Sequence, residues 1–311
     1  KEGEMESSFK WQMYHLMSFN SKKFRRFMDS KENKERIKQL IDSNLFLSKE
    51  ELPEKRYQIV VNFFGKQYIE DIHKLLNIPC TQLPNWQDIA THQIPQSVKT
   101  KLQNIPNQNS YWSSWNITDL DDGAGARINM DLFPIKISTM PNKPNSTQKY
   151  TPAEFFDFFR KNINLFAEKF TPIEDNYYNI HDTALWNSSN PLGSLIHINI
   201  PIDDGTVICS GFSTNTWIFS TIKAPLGWSY DGIHPVSGNR AFSYYMEGST
   251  MYIYTRGVDR TSYINNDKTP VINAIMESVA FKGADELWTG MQNKLSAYVN
   301  NRGGSSNPVT P

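Results

Sequence analysis

Neither sign of charge is in excess: 32 Lys and Arg residues meet 32 Asp and Glu. A balanced chain has no global field to hold a nucleic-acid backbone or an anionic membrane surface, so nucleic acid is not an expected partner. Long apolar runs are missing too. No stretch approaches the roughly 20 residues of a membrane helix, so no integral membrane segment is expected. Cysteine is scarce: Cys80 and Cys209 make neither a disulfide framework nor a CxxC motif for zinc or redox chemistry, and both read as buried thiols. Histidine is sparse and scattered, and His15, His73 and His92 have no ligand neighbour three or four residues on, so no metal centre is expected. No cofactor is expected either. Gly123-Ala124-Gly125 lacks the third glycine of a dinucleotide loop and the lysine of a P-loop. The chain opens at Lys1 without an initiator Met or a signal-peptide pattern, which leaves room for an address upstream.

Aromatics are plentiful, at 13% of residues within a hydrophobic content of 39%, the composition of a folded chain able to bury a large core. The first 105 residues read mainly as helix, with Phe24, Phe27, Met28, Ile37, Leu40 and Ile41 at three- and four-residue steps. The run 127–139 alternates and reads as a strand. Residues 141–149, PNKPNSTQK, read as an exposed linker. Thr151-Pro152-Ala153-Glu154 then offers a capping box with Pro at the first helical position, opening a Phe-rich helix over 151–168. Strands are expected at 194–200, 206–210, 216–222, 240–246 and 250–256, with a closing helix over 284–299. The expected fold is α+β: a mainly helical N-terminal region (1–140), then an α+β domain (150–301) with a mostly antiparallel sheet packed by helices, and a flexible tail (302–311).

The densest polar chemistry lies in 231–260. Glu247-Gly248 marks a hairpin turn between the last two strands, and a hairpin brings its open ends together. His234, Asn239 and Arg240 should therefore lie near Arg256, Asp259 and Arg260. Three guanidiniums against one carboxylate leave surplus positive charge, suited to binding a small anionic ligand through Asn239, Arg240, Arg256 and Arg260. An enzyme acting on a polar or anionic substrate would use His234 as acid/base with Asp259 beside it. The bland alternative is that these pairs only tie loops down. Two weaker constellations are His181-Asp182 with Ser188, Ser189 and His197, a possible Ser-His-Asp set without a nucleophile elbow, and Asp119-Asp121-Asp122, a possible cation turn. A third reading makes the β-domain a cup for a hydrophobic ligand, lined by Phe219, Phe242, Tyr244, Tyr252 and Tyr254.

The segments TPAEFFDFFRKNIN, ALWNSSNPLG, TWIFSTIKAP, HPVSGNRAF and YTRGVDR, between Thr151 and Arg260, resemble an uncharacterised bacterial domain. Such domains occur in secreted, Rhs-like and contractile-injection-associated proteins, chiefly of Bacteroidetes-type bacteria. The resemblance covers about a third of the chain and brings no catalytic residues. It implies an effector or toxin-associated protein that is secreted or delivered by an injection system. The resemblance names no activity; the leading expectation is a chain that acts by binding a small anionic ligand or a protein partner, such as an immunity protein or the delivery machinery.

Overall fold

The computed structural model describes residues 30–32, 35, 84–123, 128–167, 170–199, 204–227, 229–262 and 270–309. Most of the helix expected over 1–105, and Cys80, lie outside the described residues. In chain order the elements begin with α1 (Pro84–Ala90), α2 (Gln96–Gln103), β1 (Asn116–Ile117) and β2 (Asn129–Thr139). Next come α3 (Pro152–Lys161), α4 (Asn164–Ala167), β3 (Phe170–Pro172), β4 (Glu174–Asp175), β5 (Ile180–His181) and α5 (Asp182–Trp186). The rest is β6 (Leu195–Ile198), β7 (Gly205–Ser213), β8 (Thr216–Leu226), β9 (Asp231–Ile233), β10 (Val236–Glu247), β11 (Thr250–Thr261), α6 (Pro270–Asn301) and β12 (Ser305–Pro308).

One antiparallel sheet dominates, in the order β12-β2-β11-β10-β8-β7-β6-β3, with β1 and β9 also pairing with β8. The fold is α+β, as expected, but its arrangement differs. The longest described helix is C-terminal, and the described part of the N-terminal region holds the short helices α1 and α2 together with strands β1 and β2. Strand β2 belongs to the same sheet as the rest, hydrogen-bonded between β11 and β12, so the expected boundary near 140–150 falls inside a shared sheet. Residues 141–149 are not a free linker. Asn142 bridges Lys149, and Lys149 Nζ donates to the Gly303 carbonyl. The tail is not loose either: β12 pairs with β2, because that strand would otherwise leave an unpaired edge.

The sheet is covered on both faces. On one, α3, α4 and α6 bury a continuous aromatic core. Thr151 caps α3 as the sequence predicts: its backbone N–H donates to Glu154 Oε2 (2.9 Å) while its hydroxyl accepts from Glu154 N (3.3 Å). Phe155, Phe156 and Phe159 then face the sheet, and Trp217 stacks on Phe242 at 4.8 Å with the rings 9° from parallel. Met291, Leu295 and Val299 of α6 seal this side at four-residue steps. Cys209 lies in the same core, where burial pushes its thiol up to about 12, out of reach of nucleophilic chemistry at neutral pH. The expected helix 151–168 breaks at Asn162, where Asn162 Nδ2 donates back to the Phe158 carbonyl and the chain turns into α4.

On the other face, Trp86 and Ile89 of α1 pack on Ala241 and Val258, while Val98 and Leu102 of α2 pack on Trp115, Ile208 and Ile222. Among the described residues no helix is long and apolar enough to cross a membrane.

Candidate functional site

Strands β10 and β11 form the expected hairpin, and its register decides what the open end can do. Glu247 pairs with Thr250, so Arg240 faces Gly257, Gly238 faces Asp259 and Asn239 faces Val258. Because side chains alternate across a strand, this register splits the expected cluster in two. Arg240 and Asp259 lie on the α6 side. Asn239, Arg256 and Arg260 lie on the side of α1 and α2.

On the α6 side, Arg240 Nη2 donates to Asp131 Oδ2 at 2.5 Å and stands 3.9 Å from Asp259 Oδ2. Its guanidinium lies over the Trp288 ring at 4.3 Å from the centroid. Gly257 makes this possible, since a Cβ there would sit 2.3 Å from Arg240 Nη2. Asp131 also accepts from Gly257 N (3.0 Å), and Asn129 Nδ2 donates to Asp131 Oδ2 (3.2 Å). The charge count is therefore the reverse of the expected one: a single guanidinium is shared by two buried carboxylates. Asp285 of α6 adds a third carboxyl nearby, pushed up to about 6 by burial and by Asp131. This is no anion site. It is a buried ion pair with an acid to spare.

Burial, then the neighbouring Asp131, hold the Asp259 carboxyl well above its ordinary range, against the opposing pull of Arg240 and Asn129. A carboxyl raised in the fold adds most stability at pH below its unfolded value and loses it as pH rises through the folded one. Asp259→Asn should therefore leave thermal stability nearly unchanged near pH 4 and raise it at pH 8, as paired melting curves would show. A lower melting temperature at pH 8 would mean that Arg240 needs both carboxylates.

His234 is enclosed rather than presented. Its Nδ1 bonds within its own turn, to the Val236 backbone (2.9 Å to O, 3.2 Å to N), and its ring packs on Gly205, where a Cβ would lie 2.3 Å from Cδ2. Burial pushes its pKa down to about 4. The expected acid/base is thus a neutral, buried ring. On the opposite face, Arg256 pairs with Asp88 (2.6 Å), and Arg260 donates to the Leu120 carbonyl (3.0 Å). Arg256 thus ties α1 to the sheet, and Arg260 ties the turn after β1 to it.

The weaker constellations also resolve. Asp182 takes Lys101 (2.6 Å) and Leu195 N (2.7 Å), His181 takes Glu174, His197 stands 3.8 Å from Asp204, and Ser188 closes a turn on the Leu185 and Asn190 carbonyls, so Asp182 is joined to neither histidine nor to Ser188. Asp119 accepts from the backbone of Asp121 and Asp122, as a cap rather than a cation turn. Among the described residues no group of three or more acidic, His or Cys side chains could hold a metal ion. The expected apolar cup divides as well. Phe219, Phe242 and Tyr244 face the α6 side, whereas Tyr252 and Tyr254 turn the other way and pack with Tyr245. Phe219 and Phe242 pack against Trp217, Phe159 and Trp288.

A site of another kind lies on the other face. A cleft of about 610 Å³ runs between the α1–α2 segment and the β1 region. Ile94, Leu102, Trp115 and Ile117 supply apolar lining and His92 and Asn239 the less exposed polar groups, while exposed polar and charged side chains, Lys99, Asp119 and Asp121 among them, form the rim. The wall carrying Trp115 is pinned by Lys223, which donates to Ser114 Oγ (2.7 Å) and lies over the Tyr111 ring. Beneath the cleft, hydrogen bonds cross three strands. They join His92 Nε2 to Ser210 Oγ (3.0 Å), Ser210 Oγ to Ser220 Oγ (2.7 Å) and Ser220 Oγ to Asn239 Oδ1 (2.5 Å). Asn239 Nδ2 then donates to the Ile89 carbonyl (3.0 Å). Ser210 and Ser220 are fully enclosed. Of the expected ligand residues, Asn239 alone reaches this cleft. Nothing local marks His92 for this role, because its partners are remote: Ser210 is 118 positions away. Its one local cue is an isolated His between two short helices in a Pro-flanked segment.

No protein-family model matches the chain, and no curated protein matches it. Among solved structures, similarity is found to the di-domain ARO/CYC StfQ of the steffimycin biosynthetic pathway. That match has 8% identity and a TM-score of 0.35, and spans 59% of this chain and about half (53%) of that one. Similarity is also found to Ara h 8.0201, with 10% identity, a TM-score of 0.30, and coverage of 56% of this chain and 99% of that one. At these scores the likeness assigns neither fold nor function.

Proposed function

We propose that this chain is a small-molecule-binding domain whose ligand is amphipathic and lies in the cleft between the α1–α2 segment and the sheet. The observation that carries this reading is the cleft itself. Its volume of about 610 Å³ falls within the roughly 300–1,000 Å³ of small-molecule sites, and its lining mixes apolar side chains with the His92 imidazole, the Asn239 amide and further polar side chains such as Thr91, Gln93 and Asn116. The ligand body is neutral, because the charged side chains stand at the exposed rim while the deeper polar groups are an amide and an imidazole whose pKa is lowered by burial. A small anion at the arginines is the weaker reading, since Arg240 and Arg256 face carboxylates already. The secreted or injected setting implied by the resemblance is compatible with ligand binding and rests on that resemblance alone.

Gln103 stands exposed at the cleft, so Gln103→Trp should fill the space without disturbing the core. Calorimetric titration with 2-naphthol is expected to show binding to the wild-type chain, weakened by about tenfold or more in Gln103→Trp at unchanged melting temperature. Equal affinity in the two proteins would place the ligand elsewhere.

A further inference from the structure

Resting on that reading of the cleft, we infer that the buried hydroxyl relay fixes His92 in one tautomer, so that its Nδ1 is a permanent acceptor for an O–H or N–H group of the ligand. The directions of the bonds follow one from another. The Ile89 carbonyl can only accept, so the Asn239 atom facing it at 3.0 Å is the amide nitrogen, and Oδ1 faces Ser220. An amide oxygen can only accept, so the single Ser220 proton is committed to the 2.5 Å bond. The 2.7 Å bond between the two serines must then be donated by Ser210, whose one proton is thereby used. Its alternative acceptor, the Ile218 carbonyl at 3.5 Å, is the weaker partner by distance. Ser210 Oγ can therefore only accept from His92, and Nε2 carries the proton. The circuit closes on itself, because His92 N donates to the same Ile89 carbonyl (3.3 Å).

A neutral imidazole with its proton on Nε2 has its lone pair on Nδ1. The ring lines the cleft, and Nδ1 makes no hydrogen bond to the protein among the described residues. Burial of the ring lowers its pKa and so favours the neutral form, against the opposing effects of a hydrogen bond to the Ser210 backbone and of the Asp88 charge. The charged groups around it are Asp88 on α1, Lys99 on α2, and Asp119 and Asp121 on the turn after β1. The site thus selects a neutral molecule with an apolar body and one hydrogen-bond donor, such as a phenol, an indole or an aliphatic alcohol. It selects against the same molecule with that donor capped, because a buried acceptor left unpaired loses its water without replacement.

The test has two parts. Histidine ¹⁵N spectra of the full chain at pH 7.5 are expected to show His92 protonated at Nε2 and unprotonated at Nδ1. In Ser220→Ala, where the relay is cut but the fold keeps its small residue, the two tautomers should mix. Protonation at Nδ1 in the wild type, or a mixture there, would overturn the relay. With 2-naphthol and its methyl ether as probes, the alcohol is expected to bind about tenfold tighter and to move the His92 Nδ1 resonance. That preference should vanish in His92→Phe, and should fall as pH drops and Nδ1 takes a proton. Equal binding of alcohol and ether, with the tautomer intact, would overturn donor selection while leaving the cleft as a ligand site. Binding of neither probe would overturn both the ligand assignment and the cleft reading.

Discussion

Arg240→Ala is expected to destabilise the fold by about 3–5 kcal/mol, the cost of breaking a buried ion pair and stranding its carboxylates. The side chain is 11% exposed, and its partners Asp131 and Asp259 are 8% and 9% exposed, so water cannot take over the lost contact. Asp131 would keep its bonds from Gly257 N and Asn129, but it would face Asp259 across the space the guanidinium filled. Packing on Trp288 would be lost as well. Arg256→Ala makes the informative contrast. Its partner Asp88 is 64% exposed, and a pair of that kind contributes about 0–1 kcal/mol. Chemical denaturation of the two variants checks both values together. Near-equal, small effects would mean that Arg240 is held for recognition rather than for the fold.

Phe242→Ala is expected to cost about 3–5 kcal/mol through lost burial and the cavity left behind. Phe242 is fully enclosed, stacked on Trp217 and in edge contact with Phe219 and Trp288. The variant separates the two faces of the sheet. If the aromatic interior is structural, 2-naphthol should bind the cleft of the variant with wild-type affinity wherever the protein remains folded. A variant that keeps its stability would point to a loose, ligand-ready interior. One that loses naphthol binding while still folded would put the ligand on the α6 side.

Local signals in the sequence were reliable where the physics is local. The Thr151–Glu154 capping box, the Phe face of α3, the hairpin turn at 247–250 and the four-residue steps of Met291, Leu295 and Val299 all depend on neighbours within a turn or two. The site was less legible because it depends on register and on long-range partners. Sequence alternation makes Arg240 and Asn239 point to opposite faces, but only pairing Glu247 with Thr250 shows that Asp259 joins Arg240 while Arg256 and Arg260 join Asn239. The two-residue turn held that information in principle. In the sequence Asp131 is one residue of an alternating strand. Its role as the main partner of Arg240 needs β2 beside β11, which no local pattern announces. His92 needed three strands and a helix end to acquire its meaning.

The central claim is that an amphipathic molecule occupies the cleft beside His92 and Asn239, and a residue-resolved NMR titration with 2-naphthol tests it most directly. The account predicts concentration-dependent shifts concentrated at Ile94, Leu102, Trp115 and Asn239, with the resonances of Phe242 and Trp288 unmoved. Shifts centred on Phe242 and Trp288, or none at all, would contradict it.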